Sequence, residues 1–169
     1  MSGERKEPFR VLVLCTGNSA RSQMAEALFN ALGRGHVAAE SAGSQPAPRV
    51  HPLAIEALAR HGIAWKGHPP RSVDGLDRER WDAVITVCDK AREACPIFPG
   101  HPAVAHWGMN DPAEVVGTDE ARREAFWQAS LLLRKRVELM LALPLEKLER
   151  LAVESRLRAI GAEGQPAPA

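Results

Sequence analysis

Hydrophobic and polar positions along this chain switch between two periods, and each switch marks an element. Residues 10–14 (RVLVL) are a compact run of β-branched residues and leucine, the pattern of a strand buried on both faces. After Cys15, Thr16-Gly17-Asn18-Ser19 is a turn-forming cluster. From Ala20 the period becomes helical, with Met24, Leu28, Ala31 and Leu32 on one face and Gly33 as a stop. Strand, tight loop and helix open a βα unit. The pattern then repeats. Residues 36–41 predict a short strand, 42–50 a loop, and 51–62 an amphipathic helix with Pro52 in its first turn and Gly62 past its end. Residues 66–77, with Pro69-Pro70, read as loop. A strong strand is predicted over 81–88 (WDAVITVC) and a shorter one over 102–108. A long helix is predicted over 119–143, with Asp119 and Glu120 at its positive end. Pro144 interrupts it, and 145–161 reads as a further helix. Four strands alternating with helices predict an α/β fold around a parallel sheet.

Composition narrows the function classes. The 169 residues suit one domain, since roughly 100–200 residues make one. A polar lead-in over 1–9, a domain over 10–143, a helical extension over 144–161 and a disordered tail over 162–169 are expected. Apolar residues make up 45% and charged residues 25%, enough for a packed core. The formal net charge of +1 argues against a nucleic-acid partner. The longest apolar runs, such as Val11 to Cys15, fall far short of the roughly 18 residues of a membrane span. The start, MSGERKEPF, lacks the apolar core of a signal peptide, so the cytoplasm is the expected compartment. Three cysteines are an odd number, which points to free, catalytic or redox-active thiols rather than paired structural disulfides.

The first candidate site is Cys15 to Ser22. A loop between a buried strand and a helix points successive backbone N–H groups at one spot, and the helix N-terminus adds partial positive charge. Thr16, Gly17, Asn18, Ser19, Ala20, Arg21 and Ser22 therefore predict an oxyanion cradle. The planar fork of Arg21 can grip two oxygens of a tetrahedral anion. Cys15 at its mouth is expected to have a lowered pKa, with Ser22 donating to its sulfur. The plainer alternative is that Cys15 is a small buried hydrophobe at a strand end. Cys88 and Cys95 form a second candidate, seven positions apart in CDKAREACP. Taken alone they suit packing residues. A zinc site with His101 and His106 fits poorly, because the short ligand spacing and a second pair are missing. No metal ligand set is predicted. If 88–95 were one helix, the two Cα atoms would lie about 10 Å apart, beyond the roughly 4.4–6.8 Å of a disulfide, so oxidation would require unwinding. The third candidate is Asn110-Asp111-Pro112, which alone reads as a turn.

The segment CTGNSARSQMAEALF resembles the C-x5-R-S loop of low-molecular-weight protein tyrosine phosphatases and their relatives, the thioredoxin-coupled arsenate reductases. Its form C-T-G-N-S-x-R-S-Q-M-A-E leans to the reductases, and Ser41-Ala42-Gly43 matches the segment after their second strand. The resemblance spans roughly residues 10–143. It implies a three-layer fold with a central four-stranded parallel sheet, here with an extra C-terminal helix. It also implies a relay. Cys15 attacks arsenate, Cys88 attacks Cys15 and releases arsenite, and Cys95 attacks Cys88. Thioredoxin reduces the final disulfide, so no cofactor is implied beyond its reducing equivalents, and a monomer suits the handover. Phosphate would bind as an analogue of arsenate.

Further implications concern the rest of the site. His106-Trp107-Gly108-Met109-Asn110-Asp111-Pro112 resembles the loop carrying the general acid, which assigns that role to Asp111. The phosphatases commonly place an aromatic residue, often tyrosine, after it, but this chain has Ala113-Glu114 and no tyrosine at all, which favours a small inorganic oxyanion. Some relatives bind potassium beside the loop. Asn18, Glu26 and Ser41 match its ligands, whereas Arg71 stands where an Asp is expected, so potassium activation is not predicted. The alternatives are a phosphatase using Cys15, Arg21 and Asp111, and a thiol sensor using Cys88 and Cys95 alone. The extension past residue 143 reads as a packing helix, with partner docking as its alternative.

Overall fold

The computed structural model describes residues 7–163. The ends of the chain expected to be polar lead-in and disordered tail lie, over 1–6 and 164–169, outside the described residues. Four strands, β1 (Phe9–Cys15), β2 (Val37–Gly43), β3 (Ala83–Thr86) and β4 (Ala103–His106), form one parallel sheet in the order β2-β1-β3-β4. Among the described residues five helices accompany them: α1 (Arg21–Leu32), α2 (Pro52–Arg60), α3 (Asp89–Glu93), α4 (Asp119–Leu141) and α5 (Arg150–Ala162). Val11 to Cys15 and all of β3 are buried, as strands covered on both faces must be. On one side α1, α2 and α4 pack on each other, while α5 packs along β4. The core includes Leu12, Met24, Phe29, Ile85, Trp107 and Leu133, with Phe29 stacked on Trp107 at 6.0 Å between ring centroids.

The chain leaves β1 toward β2 on one side and returns to β3 on the other. The strand order therefore reverses between β1 and β3, and open α/β sheets place their sites in the crevice beyond such a reversal. Cys15 ends β1, and Cys88 follows β3 by two residues. The sequence thus delivers both thiols to one end of the sheet.

Several boundaries differ from the sequence reading. β2 runs on to Gly43 because its parallel ladder with β1 continues from Phe9↔Val37 to Cys15↔Gly43. A side chain at Gly43 would place Cβ 2.4 Å from the Thr16 carbonyl, so only glycine lets β2 end against the loop. β3 is shorter than 81–88 at both ends. Trp81 and Asp82 are held by Arg10 instead, whose guanidinium lies 4.1 Å from the Trp81 ring centre and whose N–H donates to Asp82. α4 stops at Leu141, and residues 145–147 form a 3₁₀ turn before α5. The segment 88–95 is not one helix either. α3 spans five residues, Cys88 caps its start, and Cys95 lies beyond its C-cap Ala94.

Candidate active site

The loop Thr16–Ala20 is shaped by its own carbonyls. Ser44, Gln45, Ala47 and His51 donate backbone N–H groups to the carbonyls of Cys15 (3.3 Å), Thr16 (2.9 Å), Gly17 (2.9 Å) and Ser19 (2.8 Å). In a trans peptide the next N–H points opposite to its carbonyl. The segment 44–51 thereby turns the loop's N–H groups away from itself and into the cradle, a nest for an anion. Sequence reading treated 42–50 only as a connection, and its hydrogen-bonding role leaves no periodic trace.

Asn18 is the pin of the loop. It is buried, with φ at 51°, a left-handed conformation Asn tolerates better than most residues. Its amide donates to Ser22 Oγ (2.8 Å) and Ser41 Oγ (2.9 Å), and its backbone N–H donates to Cys15 Sγ at 3.1 Å. Ser22 Oγ lies 2.9 Å from the same sulfur. Because Ser22 already accepts from Asn18, its own proton is free to point at Cys15. Two donors thus converge on one sulfur, the arrangement that favours a thiolate.

The lowered pKa expected for Cys15 is not what the structure gives. Burial is the largest influence and pushes the thiol up, against the Ser22 and Asn18 hydrogen bonds and the Arg21 charge. Cys15 is only 3% exposed, and Arg21 divides its guanidinium between the Met109 carbonyl (3.0 Å) and Asp111 Oδ2 (3.5 Å). Sequence spacing revealed the donors but not the depth of the sulfur.

Cys88 adjoins this loop directly. Its sulfur lies 3.3 Å from Thr16 Oγ1 and accepts the Ala91 N–H at 3.4 Å as the cap of α3. Cys95 is half-buried, donates weakly to the Pro96 carbonyl, and has its thiol pKa raised by burial. All three cysteines are free thiols. Asp111 accepts the Ala113 N–H at 2.9 Å, which holds its carboxylate at the start of a 3₁₀ turn facing Arg21. Thr16, Arg21, Cys88 and Asp111 all line one cleft of about 600 Å³. His106 lines it too, between Thr86 Oγ1 (2.8 Å from Nδ1) and Asp89 Oδ1 (3.1 Å from Nε2). Burial lowers its pKa, with Arg92 adding to the shift and Asp89 opposing it. The sequence supplied the His106-Trp107-Gly108 string without its pairing to Asp89.

The potassium ion of some relatives does not fit here. Asn18 Oδ1 accepts the Arg71 N–H (3.1 Å), the Ser41 carbonyl accepts Arg71 Nε (3.1 Å), and Glu40 pairs with Arg71 Nη2 (3.0 Å). Glu26 Oε1 meets His68 Nε2 at 2.9 Å and accepts from Ser41 Oγ. His68 Nδ1 faces the Pro69 carbonyl at 2.7 Å, so both of its ring nitrogens are engaged within the protein. The oxygens that would ligate a cation are already met by protein donors.

Comparison with known proteins agrees with this geometry. A family model described as low molecular weight phosphotyrosine protein phosphatase matches residues 10–150. An arsenate reductase of Halalkalibacterium halodurans is 35% identical over 132 residues, covering 76% of this chain and 91% of that one. The solved structure of an arsenate reductase in the phosphate binding state is 30% identical with a TM-score of 0.67, covering 79% and 96% of the two chains. A thioredoxin-dependent arsenate reductase from Corynebacterium glutamicum is 28% identical with a TM-score of 0.54, covering 79% of this chain and 64% of its own. The anion loop, the sheet order and these matches converge: the chain belongs to the low molecular weight phosphotyrosine protein phosphatase family.

Proposed function

We propose that this protein reduces arsenate to arsenite by a three-thiol relay, with Cys15 as nucleophile and Cys88 and Cys95 as resolving thiols. The observation that carries the reading is the approach of Cys88 to the anion loop, 3.3 Å from Thr16, the residue next to Cys15. Hydrolysis through a phospho-cysteine needs only one thiol, whereas a two-electron reduction needs more. Cys15 thiolate attacks arsenic in the cradle, and one oxygen leaves as water with a proton from Asp111. Cys88 thiolate then attacks Cys15 Sγ. The S–As bond breaks with its electron pair staying on arsenic, As(V) becomes As(III), and arsenite departs. The two sulfurs, now oxidised, hold the Cys15–Cys88 disulfide. Cys95 attacks Cys88, freeing Cys15. Two thiols thus supply the two electrons. Cys95 is half-buried and lies beyond the C-cap of α3, which supports a role in handing the disulfide on. The thioredoxin dependence of the Corynebacterium glutamicum neighbour supports thioredoxin as the reductant. Such recycling belongs to a reducing compartment, the cytoplasm. No helix among the described residues is long and apolar enough to cross a membrane.

The test is NADPH oxidation with arsenate, thioredoxin and thioredoxin reductase. Wild type should turn over many times, and Cys88→Ser and Cys95→Ser should not. Should none turn over while an aryl phosphate is hydrolysed without Cys88 or Cys95, the site is a phosphatase built on Cys15, Arg21 and Asp111.

A further inference from the structure

Helix α5 begins at Arg150, the last residue of the family match, and runs beyond it. It packs on β4, the edge strand, and stands in for a missing neighbour. Glu154 accepts the Val104 N–H at 3.0 Å, and Arg158 Nε donates to the Val104 carbonyl at 3.2 Å. Two side chains thereby meet the backbone N–H and carbonyl that Val104 presents on this edge.

Its C-terminal half does something more specific. Trp107 Nε1 donates to the Leu157 carbonyl at 2.9 Å, and both side chains are fully buried. Gly161 lies so close to the sheet end that a Cβ there would come 2.3 Å from the His106 carbonyl oxygen and 2.7 Å from the Trp107 ring. Arg136 of α4, also fully buried, bridges the two segments. Its Nη1 donates to the carbonyls of Trp107 (2.9 Å) and Gly108 (3.2 Å), and its Nη2 to those of Gly161 (3.4 Å) and Glu163 (2.9 Å). Among the described residues no carboxylate pairs with it. The carbonyls at the end of α5 carry the negative end of a helix dipole, which suits a cation.

A buried guanidinium without a carboxylate is an expensive way to fill space, and an apolar side chain would pack at lower cost. What the fork does, and an apolar side chain cannot, is fix two backbone segments in relation to each other. One of those segments opens the loop that carries Asp111. Gly108 is held by Arg136, Met109 by Arg21 (3.0 Å), and only Asn110 separates that pair from Asp111.

We infer that α5 and Arg136 form a clamp on the acid loop, with Arg136 acting as a positioning residue for Asp111. The catalytic side of this inference rests on the proposed role of Asp111 in arsenate reduction. The clamp itself does not, and the experiment separates the two. In the full chain, amide exchange over 107–113 is compared between wild type, Arg136→Met, Arg136→Lys and Gly161→Ala. Single-turnover arsenite release is measured alongside, with Asp111→Asn as reference.

The expected result is exchange at least tenfold faster across 107–113 in Arg136→Met and Gly161→Ala, with 15–22 unchanged. Arg136→Lys, which keeps the charge without the fork, should fall between. Arsenite release should slow about tenfold with phosphate affinity intact. Combining Arg136→Met with Asp111→Asn should cost nothing beyond Asp111→Asn alone, because one acts through the other. Wild-type exchange in Arg136→Met and Gly161→Ala overturns the clamp. Faster exchange with an unchanged rate, or losses that multiply in the double variant, overturns the positioning role. If Asp111→Asn itself leaves the rate untouched, the acid assignment and with it the positioning role fall, while the exchange data still decide the clamp. If Arg136→Met does not fold, Gly161→Ala carries the same comparison.

Discussion

Thr16 Oγ1 lies 3.3 Å from Cys88 Sγ, so the residue after the nucleophile touches the thiol proposed to attack it. With its hydroxyl proton turned to that sulfur, Thr16 stabilises the negative charge the sulfur carries as it attacks. Thr16→Val keeps the branched shape and removes the donor. A hydrogen bond to a charged group contributes about 1.5 kcal/mol or more, so formation of the Cys15–Cys88 disulfide should slow about tenfold. Attack of Cys15 on arsenate should be unaffected. Rapid quench with thiol alkylation and mass spectrometry reads the two steps apart. Equal disulfide formation in both proteins would remove Thr16 from the relay.

Ser22 and the Asn18 N–H are the donors that oppose the burial of Cys15. Ser22→Ala removes one of them, which raises the thiol pKa further above its ordinary value. The sign is simple. A higher pKa leaves less thiolate near neutrality, so the acid limb of the rate profile moves to higher pH, by about one unit for each 1.36 kcal/mol lost. Titrating thiolate absorbance in a chain carrying Cys88→Ser and Cys95→Ser gives the shift directly. No movement would mean that backbone N–H groups alone hold the sulfur.

The difference between what could be read from residues and what could not follows from range. The strand–loop–helix unit around Cys15 is local, and period, turn residues and spacing revealed it down to the oxyanion loop. Gly43 could be matched as part of Ser-Ala-Gly, but its reason, a 2.4 Å approach to Thr16, involves two segments distant in sequence. The 44–51 backing segment, the His106–Asp89 pair and the Arg136 clamp are of the same kind. Helix ends moved wherever packing outweighed period. A helix over the whole of 88–95 is open from the sequence, whereas a cap at Cys88 and a stop before Cys95 leave five residues. Arg136 on a long helix carries no signal of its own, because a buried arginine and an exposed one have the same letter.

His61 makes stability depend on pH in a defined direction. Ser130 Oγ donates to the Trp127 carbonyl (2.6 Å), so it accepts from His61 Nε2 (2.8 Å), while His61 Nδ1 accepts from Arg134 (3.1 Å). That is the neutral imidazole. Burial, then Arg134 and Arg60, hold its pKa below the ordinary 6.5, and Glu138 only partly opposes them. The unfolded chain therefore takes up the proton first. Stability is complete above the unfolded value and is lost as pH falls through it toward the folded one. His51 is shifted the same way, by burial and then Arg122, and so is His106. Melting temperature should fall by about 2–4 °C between pH 7.5 and 5.5, the scale of roughly 1 kcal/mol in a chain of this size. His61→Gln should flatten part of that slope. A melting temperature that rises toward pH 5.5 would contradict the assignment.

Arg71 places its main chain and its side chain on the oxygens beside the anion loop. Its N–H reaches Asn18, its Nε the Ser41 carbonyl, and its Nη2 Glu40, while His68 meets Glu26. Asn18 and Ser41 belong to the network that directs Ser22 toward Cys15, so these contacts bear on the nucleophile through two hydrogen bonds. A bound cation would have to displace donors already in place, and it would do so next to a guanidinium that repels it. Replacing choline by potassium at constant ionic strength should therefore leave both melting temperature and rate unchanged in wild type. Arg71→Asp reverses the charge and sets a third carboxylate near Glu26 and Glu40. That variant should be destabilised in choline and regain stability and rate as potassium is added, because the ion then supplies the charge the guanidinium supplied. Sodium, added in parallel at the same concentration, shows whether the variant's response is specific to potassium. A potassium-dependent gain in the wild-type rate would show that Arg71 yields its place.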